Sequence, residues 1–123
     1  MPPRIVHITI FGRDLQRMLA FYRDILGLTV TAEDDAFHYA SLDGGGLRIG
    51  LSAGEPGPNA TFKLGGLTGI GFGVPDVDAA YESLKAKGVT FTMPPKRQPW
   101  GGYMGMFVDP DGNEFYLQPL EEG

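Results

Sequence analysis

The residue spacing in the first half of this sequence recurs in the second half. An internal repeat limits the fold strongly, because each copy must form the same supersecondary unit. The five residues from 27 read Gly-Leu-Thr-Val-Thr, and the five from 88 read Gly-Val-Thr-Phe-Thr. The other matching positions are His7 and Gly69, Asp14 and Asp76, Asp43 and Asp109, and Gly50 and Tyr116. We interpret the two halves as duplicates.

Each half predicts a strand, a helix and then three further strands. Asp14 and Asp76 are suitable helix N-caps, and Gly27 and Gly88 stand where a left-handed residue ends a helix. The predicted helices are 14–26 and 76–87, and the predicted strands are 4–11, 28–32, 37–42, 47–52, 67–74, 89–93, 103–108 and 114–119. The fold class is therefore α+β, built from two tandem βαβββ modules. We expect a single domain over 1–123, with module one at about 4–52, a turn-rich linker at 53–66 and module two at about 67–120.

Composition argues against several functional classes. The chain has 123 residues, enough for one domain, and it has no cysteine, so disulfides and thiolate chemistry are ruled out. A cysteine-free chain suits a reducing compartment, and we expect a cytoplasmic protein. The net charge is -5 with scattered Lys and Arg, so nucleic acid is not an expected partner. No apolar run is long enough for a signal peptide or a transmembrane helix, and no membrane partner is expected.

Four segments resemble the vicinal oxygen chelate superfamily, which contains glyoxalase I, extradiol dioxygenases and the bleomycin-resistance proteins. They are the strand around His7, LAFYRDILGL at 19–28, VPDVDAAYESLKAKGV at 74–89 and WGGYMGMFVDPDGNEFYL at 100–117. The sequence is most similar to the bleomycin-resistance-like branch. The resemblance implies that each module curls into half of an open, mixed β-barrel flanked by helices. It also implies a ligand cavity between the modules, and a homodimer.

The resemblance places the metal-ligand positions of the family at His7, Gly50, Gly69 and Tyr116. Glycine has no side-chain donor, and a neutral phenol is a poor metal ligand. Strand alternation puts Glu114 on the same face as Tyr116, but His7 and Glu114 would still make only a two-ligand site. We therefore expect no functional metal and no cofactor.

Strand alternation also predicts which side chains line the cavity, given that His7 and Tyr116 point inward. Gly69, Gly71 and Gly73 then form a side-chain-free stripe, which either leaves room for a flat or bulky ligand or only permits barrel curvature or close strand packing. Arg48 is expected to point away from the cavity. Phe62 either folds back over an apolar surface or packs against a neighbouring subunit. The candidate ligand-binding residues are His7, Tyr39, Phe62, Trp100, Tyr103, Phe107, Glu114 and Tyr116.

Three functions are compatible with these features. The leading hypothesis is metal-independent binding of a small aromatic or amphipathic molecule, of the resistance or sequestration type. The alternative is an enzyme of this fold, a lyase, isomerase, hydrolase or dioxygenase-like protein, using His7, Glu114 or Tyr116 as acid–base groups. The third is an interaction module that has lost ligand binding.

Overall fold

The computed structural model describes residues 1–120 of the chain. These residues form two compact units, Met1–Leu64 and a second unit that begins at Gly65, each with a four-stranded mixed sheet and a helix. We call these units module one and module two. The predicted fold class is confirmed: both modules have the order strand, helix, three strands. Within the described residues the strands pair as two separate sheets and do not close into a barrel.

Module one contains β1 (His7–Gly12), α1 (Leu15–Leu19), β2 (Val30–Asp34), β3 (Tyr39–Asp43) and β4 (Arg48–Ala53). The helix continues beyond α1 as a π-helical segment, Ala20–Ile25. The sheet order is β1-β4-β3-β2, with β1 parallel to β4 and the other pairs antiparallel.

Module two contains β5 (Gly66–Val74), α2 (Val77–Ala86), β6 (Thr90–Arg97), β7 (Tyr103–Val108) and β8 (Asn113–Pro119). The sheet order β5-β8-β7-β6 repeats that of module one, and β5 is parallel to β8. A parallel pair needs a crossover connection, and the helix of each module supplies it.

Local signals explain where both helices begin and end. The side chains of Asp14 and Asp76 accept hydrogen bonds from Arg17 N and Ala79 N, at 2.9 Å and 3.0 Å. Gly27 and Gly88 have φ values of +82° and +91°, in the left-handed region that glycine adopts without strain. The predicted caps are therefore confirmed at both ends.

One face of each sheet is covered by apolar side chains that form the core. In module one the fully buried residues of the sheet and of the helix include Leu42, Leu51, Met18 and Tyr22. In module two the rings of Phe72, Phe91 and Phe115 surround Phe107, with centroid distances of 5.9, 5.7 and 5.6 Å. Burial of such side chains contributes about 1.5–3 kcal/mol each, which makes these faces the main source of stability.

Seven of the eight strands differ from their predicted bounds by one to four residues at an end, and two of these differences have a clear structural cause. Phe37 was expected in the third strand of module one, but it lies in an exposed turn before β3, where Asp34 accepts a hydrogen bond from Phe37 N. β6 is longer than predicted and includes Pro94 and Pro95. Proline is tolerated there because β6 is an edge strand, so its missing N–H groups leave no ladder partner unsatisfied.

Among the helices of residues 1–120, none has both the length and the apolar character that a membrane crossing requires.

Candidate functional site

Each sheet has a second face, opposite its apolar core, and we call it the open face of that module. In module one the strand register assigns it, because paired residues on neighbouring strands share a face. His7 pairs with Arg48, Thr9 with Gly50, and Gly50 with Ser41. The open face of module one therefore carries His7, Thr9, Phe11, Tyr39, Ser41, Asp43, Arg48 and Ser52.

The strand register shows that the metal-ligand positions of the family lie at equivalent places in the two modules. Thr9 pairs with Gly50 in module one, and Gly71 pairs with Tyr116 in module two. His7 lies two residues before Thr9, as Gly69 lies two residues before Gly71. The four positions that the resemblance singled out therefore correspond between the modules.

Tyr39 fills the space above Gly50. A Cβ atom built on Gly50 would overlap the Tyr39 hydroxyl and would lie 3.0 Å from both Cε1 and Cζ of its ring. Gly50 is buried, and Tyr39 is half-buried. While Tyr39 keeps this rotamer, position 50 has room for glycine and not for a longer side chain.

Phe62 folds back onto module one. Its ring centroid lies 4.9 Å from that of Phe11, which shares the open face with His7, and the two rings are tilted by 39°. Phe11 and Phe62 keep exposed fractions of 41% and 45%. Of the two expectations for Phe62, packing over an apolar surface is the one that the structure shows.

The expectation for Arg48 is wrong. Arg48 and Gly50 are two residues apart on β4, so alternation puts both on the open face, where Arg48 pairs with His7 on one side and Asp43 on the other. A cleft of about 350 Å³ lies at this end of the sheet, lined by Thr31, Asp43 and Arg48 among others.

The open face of module two contains a row of large side chains. The row crosses all four strands through neighbouring pairs: Gly71 with Tyr116, Tyr116 with Met106, and Met106 with Met93. Met104 lies on the same face as Met106 because the two are separated by one residue on β7, and it pairs with Lys96. The methionines and Tyr116 are half-buried, unlike the fully buried core of the opposite face. Sequence reasoning missed these methionines, although pairing across the turn before β8 would have indicated them.

Glu114 lies one step along the open face from Tyr116 and is held at two points. The Thr68 hydroxyl donates to the Glu114 carbonyl oxygen at 2.7 Å, at the irregularity in β5. The Thr92 hydroxyl donates to the Glu114 carboxylate from β6, where the register shifts between Phe91 and Met93. The carboxylate therefore has a fixed place on this face.

Phe107 is not on the open face. It pairs with Phe115 on the core face and has an exposed fraction of 0%. Phe107 therefore belongs to the core, because alternation along β7 places Met106 and Val108, and not Phe107, beside Tyr116 and Glu114. The prediction that Phe107 lines a ligand cavity is wrong.

Tyr103 shares the core side of β7 with Phe107, because the two are four residues apart. Its hydroxyl donates to Asp78 in the first turn of α2. This hydrogen bond, together with burial and the negative charge of Asp78, raises the pKa of Tyr103. Tyr103 connects the sheet to the helix and does not face the same side as Tyr116.

Trp100 lies at the tip of the β6–β7 hairpin. Gln98 N donates to Gly102 O at 2.7 Å, and Arg97 donates to Gly101 O at 2.7 Å, which together close the loop. The indole lies over Gly102, where an added Cβ would approach Trp100 Nε1 to 2.8 Å. The side chain is 71% exposed, so no core contact accounts for it.

The glycine stripe is not empty. A Cβ on Gly71 would overlap the side-chain oxygen of Gln118, and a Cβ on Gly73 would lie 3.0 Å from Leu120 Cα. Gly69 alone has open space around it, and its φ of +75° belongs to the irregular part of β5. Of the two alternatives for these glycines, close packing is the one that the structure supports at Gly71 and Gly73, whereas Gly69 keeps open space.

The residues at the family's metal positions do not fit a metal ion. Gly50 and Gly69 supply no donor, and Tyr39 occupies the space at Gly50. Tyr116 offers a phenol, which leaves His7 as the one strong ligand of the four. Across residues 1–120, no three His, Cys, Asp or Glu side chains are grouped as a metal site would require.

Comparison with known proteins agrees with the fold. A family model described as Glyoxalase/Bleomycin resistance protein/Dioxygenase superfamily matches residues 4–117. The match covers nearly the whole chain, and this protein belongs to that superfamily.

Three solved structures illustrate the range of this similarity. A superfamily member from Sphaerobacter thermophilus DSM 20745 is 33% identical, with a TM-score of 0.81 over 97% of this chain and 98% of that one. TnmS3, an antibiotic binding protein from Streptomyces sp. CB03234, is 27% identical, with a TM-score of 0.80 over 96% of each chain. A lactoylglutathione lyase from Agrobacterium tumefaciens is 21% identical, with a TM-score of 0.71 over 97% of this chain and 95% of that one, which shows the fold alone. Fold similarity therefore extends to a binding protein and to an enzyme.

Proposed function

We propose that this protein binds a small aromatic or amphipathic molecule on its open faces, without a metal ion. One observation carries the proposal: the open face of module two holds half-buried Met93, Met106 and Tyr116 in one row, outside the core. Methionine has a flexible, polarizable side chain that packs well against flat rings. A ligand of this kind would cover apolar surface that the module itself leaves accessible.

The donor chemistry supports binding without metal. The superfamily positions that would hold a cation carry two glycines and a tyrosine beside His7. The similarity to TnmS3, an antibiotic binding protein, supports a sequestration role. Within this proposal His7, Tyr39, Phe62, Trp100, Glu114 and Tyr116 remain ligand-binding candidates.

An enzyme is the second candidate function, and the fixed carboxylate of Glu114 favours it. The Thr92 hydroxyl donates to this carboxylate and so orients it, and carboxylates are common general bases. His7, exposed on the open face of module one, is the acid–base candidate of that module. This alternative predicts that a bound ligand is chemically changed, whereas sequestration predicts that it is recovered intact.

The assembly and the location are further proposals. We propose a homodimer, as the superfamily resemblance implies. The absence of cysteine is in keeping with a cytoplasmic protein.

A thermal-shift screen against aromatic natural products tests the proposed function. A compound present at one hundred times its Kd should raise the free energy of unfolding by about 2.7 kcal/mol. Treatment with a chelator should leave the shift unchanged. Met106→Ala should reduce it, whereas Ala79→Ser, on the exposed surface of α2, serves as the matched control. No shift from any compound, or a shift that Met106→Ala leaves intact, would contradict the proposal.

A further inference from the structure

The open face of module two combines an apolar platform with one fixed negative charge. Glu114 lies one step along β8 from Tyr116, whose row also contains Met106 and Met93. Val108 pairs with Glu114 on the neighbouring strand and continues the apolar surface. A ligand lying on the methionines would therefore have its end beside the carboxylate.

The carboxylate is oriented before any ligand arrives. Thr92 donates to one carboxylate oxygen, and Thr68 donates to the carbonyl oxygen of the same residue. Ile70 N in turn donates to the Thr68 hydroxyl at 3.0 Å, so the irregular part of β5 holds the backbone of Glu114. A preorganised group binds its partner with less loss of conformational entropy than a mobile one does.

The carboxylate has no cationic partner within the described part of the chain. Arg13 pairs with Glu55 and Arg23 pairs with Asp24, and both ion pairs lie in module one. Glu114 is half-buried, so its charge is only partly screened by water. A cation placed against it would make a charge-assisted hydrogen bond, which is about twice as strong as a neutral one.

We propose that the ligand of this face is a flat apolar molecule that carries a positively charged amine, with the amine paired to Glu114. The inference rests on the proposed function and adds the charge of the ligand to it. Thr92 is a positioning residue in this arrangement, because it acts on the ligand through the carboxylate that it holds. The methionines and Tyr116 supply the surface for the ring.

Three naphthalene compounds with the same ring test the charge preference. They are naphthylmethylamine, which is cationic, naphthylmethanol, which is neutral, and naphthoate, which is anionic. Isothermal titration calorimetry should give a Kd for the amine about tenfold lower than for the alcohol, equal to about 1.4 kcal/mol. The anion should bind more weakly than the alcohol because it faces a like charge.

Variants assign the preference to Glu114. Glu114→Gln should bring the Kd of naphthylmethanol divided by the Kd of naphthylmethylamine down to about one. The Kd of the alcohol itself should not change. Glu82→Gln removes the same charge from the exposed surface of α2 and should leave the ratio unchanged. Thr92→Val should give an intermediate ratio. A circular dichroism melting curve of each variant establishes that it is folded.

The outcomes separate this inference from the proposed function. Equal binding of amine and alcohol to the unmodified protein, or an undiminished ratio in Glu114→Gln, would overturn the inference alone. Failure of all three compounds to bind would overturn the proposed function at this face and the inference with it.

Discussion

Replacing Gly50 by alanine tests whether Tyr39 excludes a side chain from the family's anchor position. The new Cβ would lie 3.0 Å from two ring carbons of Tyr39 and would overlap its hydroxyl. Overpacking of this kind typically costs about 1–3 kcal/mol. Alanine also lowers the conformational entropy of the unfolded chain, which stabilises the folded protein by about 0.4–1 kcal/mol where the backbone conformation suits it. We therefore expect Gly50→Ala to lower the free energy of unfolding by about 1–2 kcal/mol.

A double-mutant cycle isolates the contact with Tyr39. In a Tyr39→Ala background the overlapping ring is gone, so Gly50→Ala should be neutral or slightly stabilising. The coupling energy should be about 1–3 kcal/mol, within the range for residues in direct contact. Gly57→Ala is the matched control, because nothing lies within 4 Å of the added Cβ there.

Equilibrium urea denaturation gives the free energy of unfolding of each of the four proteins in the cycle. The values can be compared through their midpoints when the dependence on urea concentration is the same for all four. An equal loss of unfolding free energy for Gly50→Ala in both backgrounds would show that Tyr39 does not exclude a side chain at this position. A loss no larger than that of Gly57→Ala would show the same.

Three further predictions follow from the faces assigned to β7 and from the hairpin loop. Phe107→Ala should lower the free energy of unfolding by about 3–5 kcal/mol in urea denaturation, because Phe107 belongs to the core. Met106→Ala should lower it by only about 1 kcal/mol and should weaken ligand binding instead. A larger loss for Met106→Ala than for Phe107→Ala would contradict the faces assigned to the two residues. The pKa of Tyr103 is raised by its hydrogen bond to Asp78, so the stabilisation is present below the unfolded pKa and is lost as pH rises through the folded one. An absorbance titration of the tyrosines should therefore show an ionisation that moves to lower pH in Asp78→Asn, and an unmoved curve would contradict it. The fluorescence of Trp100, the sole tryptophan, should resemble that of exposed indole and change when naphthylmethylamine binds; no change would remove Trp100 from the site.

The repeat was predictable from the sequence because caps and glycines have strong local causes. Asp14, Asp76, Gly27 and Gly88 act on the backbone within one turn, so their spacing alone indicated the modules. Alternation also indicates the core faces of β5 and β8, where Phe72, Phe115 and Leu117 are apolar. Both features depend only on interactions between residues that are close together in the sequence.

The candidate site was less predictable because it depends on pairing between strands. Phe107 and Tyr103 were selected as aromatic candidates without considering their strand partners, and Phe107 pairs with Phe115 on the core face. Applying alternation to β7 would have selected Met104 and Met106 instead. Arg48 was misplaced although alternation along β4 alone puts it on the same face as Gly50, two positions away.

Other features depend on side-chain conformations that no spacing rule supplies. The ring of Tyr39 over Gly50, and the side chain of Gln118 over Gly71, each come from a residue on another strand. Thr92 reaches Glu114 because β6 has an irregularity between Phe91 and Met93. The sequence shows glycine and threonine at these positions, but not the rotamers that give them their roles.

Calorimetric titration of naphthylmethylamine into protein stripped by a chelator, and then into the same protein supplied with zinc or manganese, tests metal-independent binding most directly. If binding is independent of metal, both preparations should give the same stoichiometry and the same Kd, and Met106→Ala should reduce the affinity. Binding that appears only after the metal is added would contradict it.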